Sequence, residues 1–163
     1  MTKVFLSLGA NTGDRAGAIK KAIGLILAED GIADAGRGRF YETEPQGTKD
    51  QPWFLNTAIA IDTDKPPVEL LDFLKGVEKA VGRVGGEGGG PRALDIDIVF
   101  YGTQSVNEPG LEIPHPRALG RRFVMAPMSD IAPDFVYPAI GKTVSELLNG
   151  IPQDGQGIRL ITP

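Results

Sequence analysis

Phe54–Thr63 reads FLNTAIAIDT, and its alternating side chains predict a β-strand with two different faces. One face would carry Leu55, Thr57, Ile59 and Ile61, and the other would carry Phe54, Asn56, Ala58 and Ala60. The first face is suited to a hydrophobic core, whereas the second presents aromatic, amide and small groups. The other predicted elements follow on either side of this strand.

A strand, a helix and another strand are predicted before it. The alternation of apolar residues in Val4–Leu8 indicates a strand, and Asp14 is placed to cap a helix that follows. Apolar residues between positions 19 and 27 recur at helical spacing. A further strand is predicted at Arg37–Tyr41, and a polar loop is predicted from Glu42 to Pro52.

Beyond Thr63, Pro66 and Pro67 open a predicted helix that ends near Gly82, and Leu94–Tyr101 is a predicted strand. The apolar stripe of that helix is Leu70, Leu71, Leu74, Val77 and Val81. The element order β-α-β-β-α-β is that of the split ferredoxin-like pattern. We therefore expect one α/β (α+β) domain, residues 1–163, with helices packed on a ferredoxin-like sheet and long substrate loops.

The last third of the chain is rich in proline and carries shorter predicted elements. Short helices are expected near Arg122–Met128 and at Thr143–Leu148, and Gly157–Ile161 is expected to form an edge strand. No internal repeat and no linker separates this part from the rest, which is why a single domain is expected.

Composition excludes several classes of function. The 163 residues include no cysteine, so disulfides and thiolate metal sites are excluded, and one histidine cannot form a multi-histidine site. With 17 basic and 21 acidic residues, the net charge of −4 argues against broad nucleic-acid binding. Because apolar runs are short and strand-like sequence begins at once, we expect neither a membrane span nor a signal peptide. We expect a cytoplasmic protein.

Asp95 and Asp97 form the strongest local signal in the chain. Residues two apart on a strand point to the same face, with Cα atoms roughly 6.6 Å apart. Two such carboxylates repel each other unless a cation lies between them, and oxygen ligands suit Mg²⁺ that also binds substrate phosphates. The alternative is a solvated polar face, but the pair interrupts an otherwise apolar strand.

Arginines concentrate near this pair: Arg83, Arg92, Arg117, Arg121 and Arg122. Guanidinium groups bind phosphate oxygens with two parallel hydrogen bonds, so the cluster favours a phosphate site over the alternative of surface charges that only aid solubility. His115 lies between Pro114 and Pro116, which stiffen its backbone; it is either structural or a phosphate contact.

Two further features suit substrates. Gly85–Gly90 is rich in glycine but lacks a P-loop pattern, so it is either a connector or a lid over a nucleotide. Phe54, Asn56 and Phe123 would suit a flat heterocycle that is stacked on aromatic rings and hydrogen-bonded at its edge. The alternative for both aromatic residues is an ordinary place in the core.

Several segments in this order resemble the 6-hydroxymethyl-7,8-dihydropterin pyrophosphokinase family. The matching segments are Phe5–Asn11, Tyr41–Pro45, Asp50–Asn56, Gly90–Ile98, Ile113–Arg117, Arg121–Val124 and Ile131–Pro133. The resemblance covers roughly residues 3 to 148, and several motifs in the correct order are far more specific than any one of them.

The resemblance implies transfer of a diphosphate from ATP to 6-hydroxymethyl-7,8-dihydropterin, with release of AMP, in folate biosynthesis. Asp95 and Asp97 would hold two Mg²⁺ ions, and the catalytic set would be Arg83, Arg92, Asp95 and Asp97. Contacts to ATP phosphates are implied for Arg83, Arg92, His115 and Arg121. Pterin contacts are implied for Thr43, Gln46, Phe54, Asn56, Asp95 and Phe123. The chain departs from the family pattern at Gly85–Gly89, where many relatives carry basic residues and a tryptophan.

Two other functions fit parts of the sequence. One is a different metal-dependent nucleotidyl or phosphotransferase on a ferredoxin-like fold. The other is a non-catalytic ligand- or RNA-binding ferredoxin-like module, although an RNA-binding strand of that kind would carry aromatics where Asp95 and Asp97 stand. The expected partners are small molecules, with no nucleic acid and no membrane, and the expected state is a monomer or weak homodimer.

Overall fold

The computed structural model describes residues 1–45, 50–82 and 94–163. Their strands are β1 (Thr2–Ala10), β2 (Ile32–Arg37), β3 (Phe40–Thr43), β4 (Phe54–Thr63), β5 (Asp95–Tyr101), β6 (Val106–Glu108), β7 (Leu111–Ile113) and β8 (Ile158–Ile161). Their helices are α1 (Arg15–Leu27), α2 (Pro67–Gly82), α3 (Arg122–Ile131) and α4 (Val144–Asn149), with a 3₁₀ turn at Ala118–Gly120. The chain therefore mixes α and β structure, as expected.

An antiparallel sheet of six strands organises the molecule. Its order is β5-β1-β4-β3-β8, and β2 also pairs with β4. The strand predicted at Phe54–Thr63 is confirmed at both ends and pairs with β1 from Leu55 to Thr63. β8 lies at the edge, as predicted for Gly157–Ile161, although it begins one residue later.

One face of the sheet packs against α1 and α2. Leu55, Ile59 and Ile61 of β4 belong to a buried cluster that includes residues from both helices, which confirms the predicted apolar face. The Asp14 side chain caps α1 by accepting a hydrogen bond from the Gly17 N–H at 3.0 Å. The predicted stripe of α2 is buried at Leu70, Leu74, Val77 and Val81, whereas Leu71 is half-buried at its margin.

The other face is covered over part of its area by α3, α4 and the chain between them. Phe5 and Phe100 of the sheet meet Phe135 at ring-centroid distances of 5.0 and 5.2 Å, and Tyr137 stacks on Phe100 at 5.5 Å. A capping box between Thr143 and Glu146 begins α4. This face is buried where the aromatic cluster lies, and the remainder is available for a site.

The prediction of one strand at Arg37–Tyr41 is wrong, because β2 and β3 are separated at Gly38 and Arg39. The Thr57 hydroxyl donates towards the carbonyls of Gly38 and Arg39 at 3.2 and 3.0 Å, so a side chain of β4 holds the break. A Cβ atom at Gly38 would lie 2.5 Å from the Pro127 carbonyl oxygen. Glycine at this position therefore lets α3 approach the sheet.

Smaller differences have similar tertiary causes. Glu42 and Thr43 were expected in a loop, but they extend β3 because β8 pairs with them. The hairpin of β6 and β7 was not predicted, since its strands contain only three residues each. α3 continues to Ile131, beyond the predicted end at Met128.

Asp130 ties α3 to β3. Its carboxylate accepts hydrogen bonds from the Arg39 backbone N–H (3.0 Å), the Arg39 guanidinium (2.7 and 3.1 Å) and the Tyr41 hydroxyl (2.8 Å). Burial by itself would raise the pKa of Asp130, but these hydrogen bonds outweigh it and the pKa lies below its ordinary value. The ionised form of Asp130 therefore stabilises the folded state.

Among residues 1–45, 50–82 and 94–163, no helix combines the length and the apolar character needed to cross a lipid bilayer.

We expect Gly38→Ala to lower the free energy of unfolding by about 1–3 kcal/mol, because the added methyl group overpacks the contact between β3 and α3. The matched control is Gly24→Ala in α1, where a Cβ atom would meet nothing within 4 Å. That control should raise the free energy of unfolding by about 0.5–1 kcal/mol, because alanine loses less backbone freedom than glycine in a helix. Urea denaturation measures both, and changes of the same sign would contradict the packing argument.

We expect Asp130→Asn to lower the free energy of unfolding by about 1–2 kcal/mol at neutral pH, because charge-assisted hydrogen bonds are lost. A carboxylate whose pKa is depressed in the folded state stabilises it above the unfolded pKa and ceases to do so as pH falls through the folded value. The difference between the two proteins should therefore shrink between about pH 5 and pH 3. Denaturation across that range, with exposed Asp134→Asn as control, tests this, and a constant difference would contradict it.

Candidate active site

A cavity of about 210 Å³ opens on the part of the sheet face that α3 and α4 leave uncovered. Its floor comes from β1, β4 and β5, and its walls come from the end of β3 and the first turn of α3. The lining residues are Ser7, Gly9, Thr43, Glu44, Gln51, Phe54, Asn56, Asp95, Asp97, Arg121 and Phe123. Seven of the predicted site residues thus meet in one place.

Asp95 and Asp97 both face this cavity from β5. Their neighbours Ile96 and Ile98 are 5% and 4% exposed and lie in the core on the other face of the strand, so the pleat directs both carboxylates outward. Across the ladder, Asp95 pairs with Gly9 and Asp97 pairs with Ser7. Asp97 keeps about half of its side chain exposed, whereas Asp95 is partly buried.

Asn56 is held in a fixed orientation beside the aspartates. It pairs with Gly9 across the ladder, and its side chain is 3% exposed. The amide nitrogen donates to the Thr43 hydroxyl at 2.5 Å, while a Cβ atom at Gly9 would lie 2.4 Å from the amide oxygen. The absence of a side chain at Gly9 therefore makes room for the Asn56 oxygen above the floor of the cavity.

Arg121 and Phe123 lie at the start of α3 and line the cavity from above. The Arg121 guanidinium lies over the Phe123 ring, 5.3 Å from its centroid. Burial lowers the pKa of Arg121, the nearby Arg117 lowers it further, and Asp97 opposes both effects. Arginine nevertheless remains protonated at neutral pH, so a positive charge faces the two carboxylates. Phe54 and Phe123 supply aromatic rings from the sheet and from the helix.

His115 lies on the rim beside Asp97. Its Nε2 atom is 4.0 Å from Asp97 Oδ1, and its Nδ1 atom accepts from the Arg117 backbone N–H at 3.3 Å. The His115 backbone N–H donates to the Val99 carbonyl at 3.2 Å, which anchors the loop against β5. The hairpin of β6 and β7 separates His115 from β5 in sequence, and the tertiary structure brings His115 next to Asp97.

Three predicted site residues lie outside the described residues: Gln46, Arg83 and Arg92. The glycine-rich segment from Gly85 to Gly90, which was expected to be either a connector or a lid, also lies outside them.

Sequence reasoning missed Ser7, Gly9, Glu44 and Gln51. Ser7 could have been found, because the alternation of Val4, Leu6 and Leu8 places it on the opposite face of β1. Gly9 and Glu44 gave no local signal, since their roles depend on Asn56 and on a contact with Gly157. Gln51 accepts from the buried Asn11 amide at 3.0 Å, and the Asn11 amide oxygen has no hydrogen-bond partner among the residues described here.

The donor set of the cavity suits a hard cation that arrives with other ligands. In the described ranges, no three His, Cys, Asp or Glu side chains are grouped so that they could hold a metal by themselves. Asp95 and Asp97 offer two carboxylates in an open position, which is the arrangement that Mg²⁺ uses when substrate phosphates complete its coordination. The two aspartates therefore fit such an ion. The described residues do not offer the three or more side chains that would hold a metal without substrate ligands.

Comparisons with known proteins indicate the family of the chain. The family model described as 7,8-dihydro-6-hydroxymethylpterin-pyrophosphokinase (HPPK) matches residues 5–133. A curated relative from Methylorubrum extorquens, named 2-amino-4-hydroxy-6-hydroxymethyldihydropteridine pyrophosphokinase, is 41% identical over 95% of this chain and 97% of its own length. The protein of the same name from Pseudomonas aeruginosa is 35% identical over 94% of each chain.

Longer proteins also match, but only in part. The chain is 40% identical to the folic acid synthesis protein fol1 of Pneumocystis carinii and covers 20% of it. Among solved structures, wild-type HPPK-DHPS from Plasmodium falciparum has a TM-score of 0.72 at 14% identity, over 91% of this chain and 43% of that one. This structural likeness concerns the fold alone. On the family match and the full-length relatives, the chain belongs to the 7,8-dihydro-6-hydroxymethylpterin-pyrophosphokinase family.

Proposed function

We propose that this chain transfers a diphosphate from ATP to 6-hydroxymethyl-7,8-dihydropterin and releases AMP, as a step of folate biosynthesis. The observation that carries the proposal is the row formed by Asp95, Gly9 and Asn56 across three strands. In this row, one carboxylate, which would suit a metal–phosphate group, lies two residues across the sheet from an oriented amide, which would suit the edge of a heterocycle. Relatives that match almost the full chain carry the corresponding name.

The pterin would occupy the part of the cavity near β3 and β4. Phe54 and Phe123 would stack on its ring, while Asn56 and the backbone near Thr43 would hydrogen-bond its edge. Gln46 and Asp95 complete the proposed contacts. Because the Asn56 amide already donates to Thr43, its oxygen is oriented before a ligand arrives, which lowers the entropy cost of binding.

ATP would lie on the opposite side, along Asp97 and the rim. Arg121 and His115 are the described residues proposed to contact its phosphates, and Arg83 and Arg92 are proposed to join them. Bound magnesium, with two ions expected on Asp95 and Asp97, would neutralise phosphate charge and make the β-phosphorus more electrophilic. Without such a cation, the two carboxylates would repel a polyphosphate.

The reaction itself forms a bond between the pterin hydroxymethyl oxygen and the β-phosphorus of ATP. The bond from that phosphorus to the oxygen bridging to the α-phosphate breaks, AMP leaves, and the hydroxyl proton passes to water. The chain's residues contribute mainly position and charge, as is general for phosphoryl-type transfer. Arg121, half-buried near Asp97, is placed to stabilise negative charge on the transferring group.

The finer points of organisation are proposed on the same basis. The strand order agrees with a ferredoxin-like split sheet in which the second strand is divided into β2 and β3. We propose a single domain over residues 1–163, a cytoplasmic location, small-molecule partners without nucleic acid, and a monomer or weak homodimer.

The direct test is an assay of purified protein with ATP, Mg²⁺ and the pterin. We expect AMP and the pterin diphosphate in equal amounts, whereas ADP or free pyrophosphate would indicate a different transferase. Asp95→Asn and Asp97→Asn should each lower kcat about a hundredfold or more, because stabilisation worth several kcal/mol is removed from the transition state. The control Glu112→Gln, an exposed acid on β7, should retain the wild-type rate, and an active Asp97→Asn would contradict the assignment.

We expect Asn56→Ala and Phe123→Ala to weaken pterin binding more than ATP binding. The first leaves a buried polar edge of the pterin unmatched, at about 1–3 kcal/mol, and the second removes stacking worth about 0.5–1.5 kcal/mol beyond the buried area. Calorimetric titration with the pterin and with a non-hydrolysable ATP analogue separates the two. Asn107→Ala, at an exposed position of β6, serves as control. Equal losses of affinity for the pterin and for the ATP analogue would show that Asn56 and Phe123 do not form a pterin site.

A further inference from the structure

The segment Gln156–Arg159, which we name the C-terminal strap, contacts both walls of the cavity. It lies beyond residue 133, where the match to the family model ends. One wall is the first turn of α3 with Arg121 and Phe123, and the other is the end of β3 with Thr43 and Glu44. The strap joins two elements that have no direct sequence connection.

Gln156 supplies the cap that α3 lacks. The residue before the helix, Arg121, makes no side-chain capping hydrogen bond. Instead, the Gln156 side-chain oxygen accepts from the Arg122 backbone N–H at 3.0 Å, and its amide nitrogen donates to the Gly120 carbonyl at 3.3 Å. The Gln156 carbonyl also accepts from the Arg122 guanidinium at 3.0 Å. Three hydrogen bonds from one residue thus fix the turn that carries Arg121 and precedes Phe123.

The next residues of the strap hold the opposite wall. Gly157 donates to the Glu44 carboxylate at 3.1 Å, and its carbonyl accepts from the Glu44 backbone N–H at 2.9 Å. Ile158 pairs with Thr43 in the ladder between β8 and β3. A Cβ atom at Gly157 would lie 3.0 Å from the Glu44 carboxylate and 3.2 Å from the Trp53 ring, so the strap is closely packed here.

Arg159 completes the attachment. Its guanidinium binds Glu42, which also accepts from Arg15 at 2.8 Å, and it lies over the Trp53 ring at 4.9 Å from the centroid. Trp53 is the single tryptophan of the chain, so its emission reports on this end of the strap.

We propose that Gln156 is a positioning residue for the pterin: through the strap, it sets the spacing between Phe123 and the wall formed by Thr43 and Glu44. This inference rests on the proposed function. The ring of Phe123 moves with its helix, whereas the long side chain of Arg121 can compensate for a small backbone shift. Loss of the Gln156 hydrogen bonds therefore affects the pterin rather than ATP.

The test compares Gln156→Ala, Gln156→Glu and the control Gln153→Ala, whose side chain is exposed and whose carbonyl contact to Gln156 is retained. Gln156→Ala should raise KM and Kd for the pterin about fivefold, which converts to about 1 kcal/mol, with KM for ATP and kcat changed less than about twofold. Gln156→Glu keeps the acceptor for the Arg122 N–H but loses the donor to the Gly120 carbonyl, so its pterin Kd should lie between those of the wild type and Gln156→Ala. Trp53 emission should change in Gln156→Ala and not in Gln153→Ala.

A second variant works from the other wall. Gly157→Val places bulk between Glu44 and Trp53 and should raise the pterin Kd to a similar extent, so the test does not depend on whether Gln156→Ala folds. Unchanged pterin Kd in folded Gly157→Val or Gln156→Ala, or equal losses for pterin and ATP, would overturn the proposal. Pterin binding is titrated directly with a non-hydrolysable ATP analogue present. If the wild type neither binds the pterin nor releases AMP, the proposed function itself is wrong, whereas an active wild type with unchanged variants contradicts the strap alone.

Discussion

The register of β1 between β4 and β5 is the constraint on which the site depends. Gly9 pairs with Asn56 on one side and with Asp95 on the other, and Ser7 likewise lies between Ala58 and Asp97. Paired residues of antiparallel strands point to the same face, so these rows bring Ser7, Gly9, Asn56, Asp95 and Asp97 together on the floor of the cavity. A slip of one residue would turn every one of these groups into the core. The buried apolar residues on the other face, packed against α1 and α2, prevent that slip.

The position of α3 is the second requirement, and it is met from both ends of the helix. At its last turn, Asp130 binds Arg39 and Tyr41, which lie about ninety residues earlier in the chain. At its first turn, Gln156 caps the Arg122 N–H from the C-terminal segment. Gly38 lets the middle of the helix approach the sheet. The position of Arg121 and Phe123 above the cavity therefore depends on contacts between α3 and residues that are distant from it in sequence.

Charge is divided within the cavity in a way that bears on the proposed reaction. The floor carries Asp95 and Asp97, while Arg121 and His115 lie above and beside them. A polyphosphate would meet repulsion from the floor unless a cation intervened, whereas the positive charge of Arg121 would attract it. In the proposed reaction, this separation would favour a ligand that brings metal and phosphate together, and the neutral Asn56, Thr43 and Phe54 would remain for the proposed pterin.

The sequence by itself determined the strands and helices whose periodicity is strong. The two faces of Phe54–Thr63, the cap at Asp14 and the common face of Asp95 and Asp97 all follow from the alternation of side chains or from local capping chemistry. The family resemblance carried by its motifs was likewise present in the sequence. These features need no knowledge of the rest of the chain, because a strand's pleat and a helix's first turn are set within a few residues.

Only the tertiary structure decided where β2 ends and β3 begins, that Glu42 and Thr43 extend a strand, and that Gln156 caps a helix more than thirty residues away. Thr57 and Pro127 create the break at Gly38, and β8 supplies the partner for the end of β3. Each of these outcomes depends on hydrogen-bond partners and close approaches from other elements. Sequence periodicity carries no information about such partners, because their effect exists only once the chain has packed.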